Sequence, residues 1–311
     1  MPVALTGATG FAGQAIMRAL VAAGHHPSYL LRDVSMQFSE PRLRPVPGDL
    51  HDTAALDSLM QGADTVIHVA GAVSARNAAA FFRTNLEGTR NVVAAAKRCG
   101  VKRFIHLSSL AARQPQLSPY AASKEAAEHV VHAQSNAMST LILRPSAVYG
   151  PGDRATLPLL AELMKNTATI PGTSNARFSL IHVDDFAAIV AAAVSSVTTG
   201  TVEVDDMDGP HNWNQLATVT RNAYSRPHRI FYVPKTAAMA VGKIVETLSG
   251  WRGQTAMVTT GKMRELYFPD WIAQAPGWPR QSPVRLASGL VQTFEWYSKG
   301  GWLRKAVAMG A

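Results

Sequence analysis

The stretch that decides the fold is MPVALTGATGFAG, residues 1–13, in which a short apolar run is followed at once by three glycines. Residues 3–5 have the length and apolar character of one buried strand. After the glycines, apolar residues recur at helical spacing until Gly24, which predicts a helix with a C-terminal stop. The chain therefore opens with a strand, a glycine turn and a helix.

The same alternation continues through the first half of the chain. Its strands are too apolar for a one-sided sheet, so we predict an α/β fold with a Rossmann-type doubly wound parallel sheet, covered by helices on both faces. The predicted strands are 29–31, 65–69, 103–107, 140–143 and 201–204, and the predicted helices are 53–60, 77–98, 119–134 and 184–194.

The regularity weakens after Gly150, where prolines and glycines divide the chain into shorter pieces. We predict one domain at 1–149, with a return of the chain near 180–206. A smaller, interwoven region at 150–311 is predicted mainly to bind substrate. Within it, 236–248 is amphipathic and is predicted to pack as a core helix, with contact to a membrane or a partner protein as the alternative.

Composition excludes several classes of protein. The 311 residues carry a formal charge of +9, but the basic residues are scattered, which argues against a nucleic-acid partner and favours an anionic cofactor or substrate. The sequence contains no run of eighteen apolar residues, so no integral membrane span is predicted, and it contains no spacing typical of metal ligands. The single cysteine, Cys99, and a first strand that starts almost at Met1 predict a cytoplasmic protein.

The glycine turn suits a dinucleotide. Between a strand and a helix, Gly7, Gly10 and Gly13 would let backbone N–H groups approach a pyrophosphate at the positive end of the helix dipole, or would serve only a tight turn and close packing. Near the end of the second strand, Arg32 suits the 2′-phosphate of NADP, whereas Asp33 suits the ribose of NAD or starts a turn. We predict NADP as the preferred cofactor, with NAD left open.

Residues 119–134 contain a tyrosine and a lysine that are suited to proton transfer. Tyr120 and Lys124 stand four apart on one helix face, where the ammonium group is expected to lower the pKa of the phenol so that it exchanges protons with an alcohol or carbonyl. Ser108 and Ser109 end the preceding strand, where a serine hydroxyl can bind the reacting oxygen or only cap the next segment.

These motifs resemble the extended short-chain dehydrogenase/reductases, also called the NAD-dependent epimerase/dehydratase family, over about the first two hundred residues. Within it the beta-hydroxysteroid dehydrogenase and dihydroflavonol reductase branches are the most similar in appearance. The matching motifs stand in the family's order: TGATGFAG (6–13), GDL (48–50), HVAGAV (68–73), NLEGTRNVVAAAKRCGVKRFIHLSS (85–109), YAASK (120–124), LRPSAVYGPGD (143–153) and IHVDDFA (181–187).

The resemblance implies hydride transfer between a nicotinamide and a carbon that bears an alcohol or carbonyl. It makes Tyr120 the acid/base, Lys124 its electrostatic helper and Ser109 the donor to the substrate oxygen. The cofactor contacts that it implies are Gly7, Thr9, Gly10, Phe11, Ala12, Arg32, Asp49, Leu50, Ala70, Gly71, Ala72, Tyr120, Lys124, Pro145 and Val148.

Departures from the family pattern narrow the reaction. Residues 144–147 lack the asparagine that contacts a nucleotide diphosphate in many sugar-nucleotide enzymes, and residues 110–112 lack the acidic groups of dehydratases. We predict an oxidoreductase that interconverts a secondary alcohol and a ketone on a small or lipid-like substrate, and a homodimer through two long helices. The alternatives are a sugar-nucleotide epimerase with tightly bound NAD and a non-catalytic NADP-binding subunit.

Five further polar residues are predicted to have structural roles. His68 and His106 lie on apolar strands as satisfied core histidines. Asp184 and Asp185 start a helix, and Asn85 either binds backbone beneath the cofactor or occupies an ordinary helix position.

Overall fold

Thirteen strands run through the part of the chain that the computed structural model describes, which is residues 1–224, 229–251, 259–274, 278 and 283–303. They are β1 (Val3–Thr6), β2 (Ser28–Leu31), β3 (Arg44–Pro47), β4 (Thr65–His68), β5 (Arg103–Leu107), β6 (Ser139–Pro145), β7 (Ala147–Tyr149), β8 (Thr167–Pro171), β9 (Arg177–Phe178), β10 (Leu180–His182), β11 (Gly200–Val204), β12 (Arg229–Val233) and β13 (Asp270–Trp271).

Seven of these strands form one parallel sheet in the order β3-β2-β1-β4-β5-β6-β11. The order reverses direction at β1, as in a doubly wound fold, and confirms the predicted fold class. The sequence analysis missed β3, an edge strand with prolines at 45 and 47. Proline is tolerated there because an edge strand leaves one row of amides unpaired.

Helices cover both faces of the sheet. One core lies under α1 and α7, and a second lies under α2, α4 and α5. The helices are α1 (Phe11–Ala22), α2 (Thr53–Met60), α3 (Ala78–Phe82), α4 (Gly88–Arg98), α5 (Pro119–His132), α6 (Leu157–Glu162), α7 (Val183–Ala193), α8 (Trp213–Tyr224), α9 (Lys235–Trp251), α10 (Thr260–Leu266) and α11 (Leu286–Lys299).

The predicted helix over 77–98 is continuous but irregular. A π-helical turn at Arg83–Glu87 joins α3 to α4. Such turns contain one extra residue and rotate the side chains that follow, and they occur often at functional sites. This one carries Asn85, which is buried.

The region after residue 150 builds a third core between α6, α8 and α11, with the two-stranded pairs β7–β10, β8–β12 and β9–β13 beside it. The domain boundary at 149–150 stays a prediction, and residues 304–311 of the predicted C-terminal region lie outside the described residues. Among the described helices, none combines the length and apolar content needed to cross a membrane.

Candidate functional site

The predicted site residues follow the carboxyl ends of successive strands. Because all seven strands are parallel, the segments after β1, β2, β3, β4, β5 and β6 meet at one edge of the sheet. This edge therefore collects the glycine turn, Arg32, Asp49, the 70–72 loop, Ser109 and Pro145.

The three glycines of the opening turn have different structural roles. Gly7 has a φ of +75°, and a Cβ there would lie 2.5 Å from the backbone nitrogen of Ala70. A Cβ on Gly13 would lie 1.9 Å from the Gly7 carbonyl oxygen, so only glycine lets α1 pack on the turn. Gly10 is exposed, and a Cβ there would meet only that oxygen, at 3.4 Å.

The start of α1 offers an anion cradle. Gly10 is the N-cap and has no side chain, and the Gln14 amide makes the first helical bond, to the Gly10 carbonyl at 2.9 Å. The amides of Phe11 and Ala12 precede that bond and have no partner within the helix, and the first turn carries no acidic residue. Thr9 is half-buried in the turn itself. These donors fit a pyrophosphate, as the sequence predicts.

Arg32 and Asp33 differ in the contacts that their side chains make. The Asp33 carboxylate accepts from the Ser35 amide at 2.9 Å and the Ser35 hydroxyl at 2.7 Å, and these hydrogen bonds lower its pKa. Asp33 thus caps a short turn, which was one of the two predicted roles. The Arg32 side chain is exposed and makes no hydrogen bond or ion pair with any residue that the structure describes.

Asn85 links the 70–72 loop to α5. Its Oδ1 accepts from the Ala72 amide at 2.7 Å, and its Nδ2 donates to the Ala72 carbonyl at 3.1 Å and to the Ser123 hydroxyl at 2.8 Å. The Ser123 hydroxyl in turn donates to the Tyr120 carbonyl at 2.7 Å. The predicted contact of Asn85 with backbone is confirmed, and the link to α5 is an addition.

His68 continues this network beneath the sheet edge. The Thr89 hydroxyl donates its proton to the Asn85 carbonyl at 2.5 Å. It must therefore accept the hydrogen bond from His68 Nε2, at 2.9 Å. With its proton on Nε2, the His68 ring accepts at Nδ1 from the Thr6 hydroxyl, at 2.7 Å. Burial lowers the pKa of His68 to about 3, with the Lys124 charge acting in the same direction. His68 is therefore a satisfied, neutral core histidine, as predicted.

The prediction for His106 is wrong. Its ring stacks on that of His68 with centroids 5.3 Å apart, but both its nitrogens are buried without a hydrogen-bond partner among the described residues. Burial holds its pKa well below the usual value, so the ring stays neutral.

Tyr120 occupies the second position of α5, beside the end of β5. Its ring is partly buried, lies 6.0 Å from that of Phe81, and its phenol interacts with the Ser109 hydroxyl. Burial raises the pKa of Tyr120 to about 12; the nearby Ser109 hydroxyl lowers it, and the Glu265 carboxylate raises it further.

Lys124 is buried one turn further along α5. Its Nζ donates to the Leu107 carbonyl at 2.6 Å, and burial lowers its pKa to about 8 against the opposing effect of Glu128. The expected lowering of the Tyr120 pKa by this ammonium group is not observed, because burial of the phenol dominates. A Cβ on Gly71 would lie 3.8 Å from Nζ, so Lys124 reaches the 70–72 loop.

The two serines after β5 have separate partners. The Ser108 hydroxyl is buried and donates to the Glu128 carboxylate. Ser109 is more exposed, caps the short turn Leu110–Arg113 by accepting from the Ala111 amide at 3.2 Å, and reaches Tyr120. Ser109 is thus the serine that stands beside the phenol.

A buried ion-pair network, which the sequence analysis missed, lies behind these serines. Arg144 donates to both oxygens of Glu128 at 2.9 and 2.6 Å. Glu203 lies 3.1 Å from Arg113 and 3.6 Å from Arg144. The partners are up to 90 residues apart, so no local pattern could have revealed them.

The remaining predicted cofactor residues differ in how far they are exposed. Asp49 is exposed, but Leu50 is buried against α4, where a Cβ on Gly88 would lie 2.7 Å from its Cδ1. Pro145 is buried at the end of β6, and Val148 is partly buried in β7.

Glu265 connects the C-terminal region to α5, and this contact was also not predicted from the sequence. Its buried carboxylate accepts from the hydroxyl of Ser118, the N-cap of α5. The same carboxylate acts on the Tyr120 phenol. The structure thus connects α10 to the start of the helix that carries Tyr120.

Comparison with known proteins agrees with this geometry. Residues 3–204 match the model of the NAD dependent epimerase/dehydratase family. Ceramide reductase from Caulobacter vibrioides is 38% identical over 98% of this chain and 97% of that protein. 2-alkyl-3-oxoalkanoate reductase from Stenotrophomonas maltophilia is 27% identical over 89% of this chain and 92% of that protein.

Among solved structures, UDP-glucuronic acid 4-epimerase from Bacillus cereus, in complex with UDP-glucuronic acid and NAD, aligns with a TM-score of 0.70 at 18% identity, over 96% of this chain and 99% of that one. At that identity the likeness concerns the fold alone. The family match covers well over half of the chain. The protein therefore belongs to the NAD dependent epimerase/dehydratase family and is an NAD-dependent enzyme of the extended short-chain dehydrogenase/reductase type.

Proposed function

We propose that this enzyme uses NADP to reduce a ketone on a lipid-like substrate to a secondary alcohol, with Tyr120 as the acid, Ser109 as the donor to the substrate oxygen and Lys124 as the electrostatic helper. The observation that carries the proposal is that the Ser109 hydroxyl stands close enough to the Tyr120 phenol, at the ligand edge of the sheet, to lower its pKa. When bound, the nicotinamide supplies the hydride.

The protonation of Tyr120 favours the reductive direction. With a pKa raised to about 12, the phenol keeps its proton at neutral pH and can donate it to a carbonyl oxygen. Ser109 orients that oxygen by donating a second hydrogen bond. Lys124, with a pKa of about 8, remains largely an ammonium group near pH 7 and favours the charge that develops on the phenol.

The preference for NADP is supported by Arg32. Its guanidinium is exposed next to the turn that Asp33 caps, and a 2′-phosphate is the partner that a free guanidinium binds with charge-assisted hydrogen bonds. NAD remains the alternative.

The proposed substrate class is supported by two observations. The relatives described above are named ceramide reductase and 2-alkyl-3-oxoalkanoate reductase, names that point to lipid-like compounds. Arg113 and Arg144, the basic residues behind Ser109, are held by Glu128 and Glu203, which leaves them poorly suited to a nucleotide diphosphate. The sugar-nucleotide epimerase is therefore the second candidate, and a non-catalytic subunit has no need of the Ser109, Tyr120 and Lys124 set.

The test is consumption of NADPH with a long-chain 3-oxo lipid amide and, separately, a 3-oxoalkanoate. Wild type is expected to turn over at least one of them, and Tyr120→Phe to bind NADPH with unchanged affinity but lose most of the turnover. Tightly bound NAD in the purified enzyme with no net reduction of ketones would favour the epimerase. Equal turnover by Tyr120→Phe would contradict the role of the phenol.

Cofactor preference needs its own titration. NADPH and NADH are titrated into wild type and Arg32→Ala, followed by fluorescence. We expect wild type to prefer NADPH and the variant to lose that preference. A cytoplasmic location, a homodimer and a substrate-binding role for residues 150–311 stay predictions.

A further inference from the structure

Helix α9 exposes an apolar stripe. Val241, Ile244 and Leu248 are spaced three and four residues apart, which places them on one helix face, and their exposed fractions are 54%, 58% and 46%. A second face of α9 packs on α10: Ala238 is buried, and a Cβ on Gly242 would lie 3.3 Å from Cγ of Met263. Residues 236–248 were predicted to pack as a core helix, and only the face of α9 that contacts α10 packs in this way.

Basic side chains outnumber acidic ones on the exposed surface of α9 and α10. The basic side chains exposed on the described parts of α9 and α10 are those of Lys235, Lys243, Lys262 and Arg264. Glu246 is the only exposed carboxylate on those same residues, since Glu265 is buried. At about 100° per residue, Lys235 and Lys243 lie on the side of α9 away from the stripe, and Lys262 on α10 is paired with Glu265 at 3.3 Å. A helix with one apolar face and lysines on its polar face is the pattern of a helix that lies in the surface of an anionic bilayer.

The stripe lies one helix away from the catalytic helix. On α10, Glu265 accepts from the Ser118 hydroxyl, and a Cβ on Gly261 would lie 3.0 Å from Cβ of Ser118. Ser118 caps α5 two residues before Tyr120. A bilayer in contact with α9 would therefore lie on the side of the molecule from which the C-terminal region approaches the site.

We propose that α9 docks this enzyme on an anionic membrane surface through Val241, Ile244 and Leu248, so that a lipid substrate reaches Tyr120 from the bilayer. The second half of this statement rests on the proposed lipid reductase function, whereas the docking itself does not. A second copy of the chain is a poorer occupant, because three half-exposed aliphatic side chains offer far less than the roughly 800 Å² per partner that a stable protein interface buries.

The test is cosedimentation with vesicles of phosphatidylglycerol and phosphatidylcholine, and with vesicles of phosphatidylcholine alone. Wild type is expected to pellet with the anionic vesicles and to be released by salt. The triple variant Val241→Ser, Ile244→Ser, Leu248→Ser is expected to bind at least about tenfold more weakly. The control Val197→Ser, at a side chain that is 93% exposed outside α9, should bind as wild type does.

Two further readouts separate the possible failures. NADPH affinity and turnover of a short-chain, water-soluble ketone should be equal in wild type and the triple variant, which checks the fold and the site. Absence of vesicle binding by wild type, or equal binding by the triple variant, overturns the docking. A wild-type dimer that the triple substitution converts to monomer, with no vesicle binding, overturns it in favour of a subunit interface. Vesicle binding without reduction of any ketone refutes the proposed function and leaves the docking supported.

Discussion

Replacement of Asn85 by alanine would test whether the buried network holds the cofactor loop. The side chain is 2% exposed and makes three hydrogen bonds, two to Ala72 and one to Ser123. At about 0.5–1.5 kcal/mol each, their loss lowers the free energy of unfolding by about 1.5–4.5 kcal/mol. Because the 70–72 loop then loses its anchor, we also expect NADPH to bind at least about tenfold more weakly.

The control is a residue that loses as many bonds at the other end of the sheet. Arg103 begins β5 and donates to the Ala193 carbonyl at 3.1 Å, the Ser139 hydroxyl at 2.8 Å and the Thr198 carbonyl at 2.9 Å. Arg103→Met should be destabilised to a similar degree in urea but should bind NADPH as wild type does. Equal weakening of NADPH binding in both variants would refute the reasoning, since it would mark a general loss of stability.

Three further predictions concern protons and charge. Above pH 8, kcat/KM for ketone reduction should fall with an apparent pKa of about 8, because Lys124 then loses its ammonium charge; a flat pH profile up to pH 10 would contradict this. The rise of the alcohol oxidation rate with pH, which follows deprotonation of Tyr120, should move to lower pH in Glu265→Gln, since that carboxylate raises the pKa of Tyr120, and to higher pH in Ser109→Ala, since that hydroxyl lowers it; shifts in the same direction would count against both assignments. Glu128→Gln weakens the charged fork with Arg144, which keeps Glu203 as a second carboxylate partner, and should cost about 1–3 kcal/mol in urea unfolding, a result that an unchanged midpoint would rule out.

The elements that could be predicted from the sequence are those specified by neighbouring residues. The turn that starts α1 follows from glycines spaced three apart, and the choice of Ser109 followed from a short motif. The edge strand β3 was missed because its sequence, RPVP, carries prolines that normally argue against a strand. The π-helical turn around Asn85 has no local signal, because its extra residue is stabilised by contacts with Ala72 and Ser123.

The pKa values of the site residues could not be predicted because they depend on how deeply each group is buried in the folded chain. Lys124, one helical turn after Tyr120, was expected to lower the pKa of the phenol, but burial raises that pKa and also lowers the pKa of Lys124 itself. Glu265 reaches Ser118 across 147 residues, and such a contact exists only once the C-terminal region has packed on α5.

The most direct test of the central claim is to follow deuterium from NADPH labelled on the transferable position, with a long-chain 3-oxo lipid amide as substrate. Mass spectrometry of the product locates the label. The account predicts one deuterium on the new carbinol carbon with wild type and almost no product with Tyr120→Phe. An unlabelled product, or labelled product formed equally by Tyr120→Phe, would contradict it.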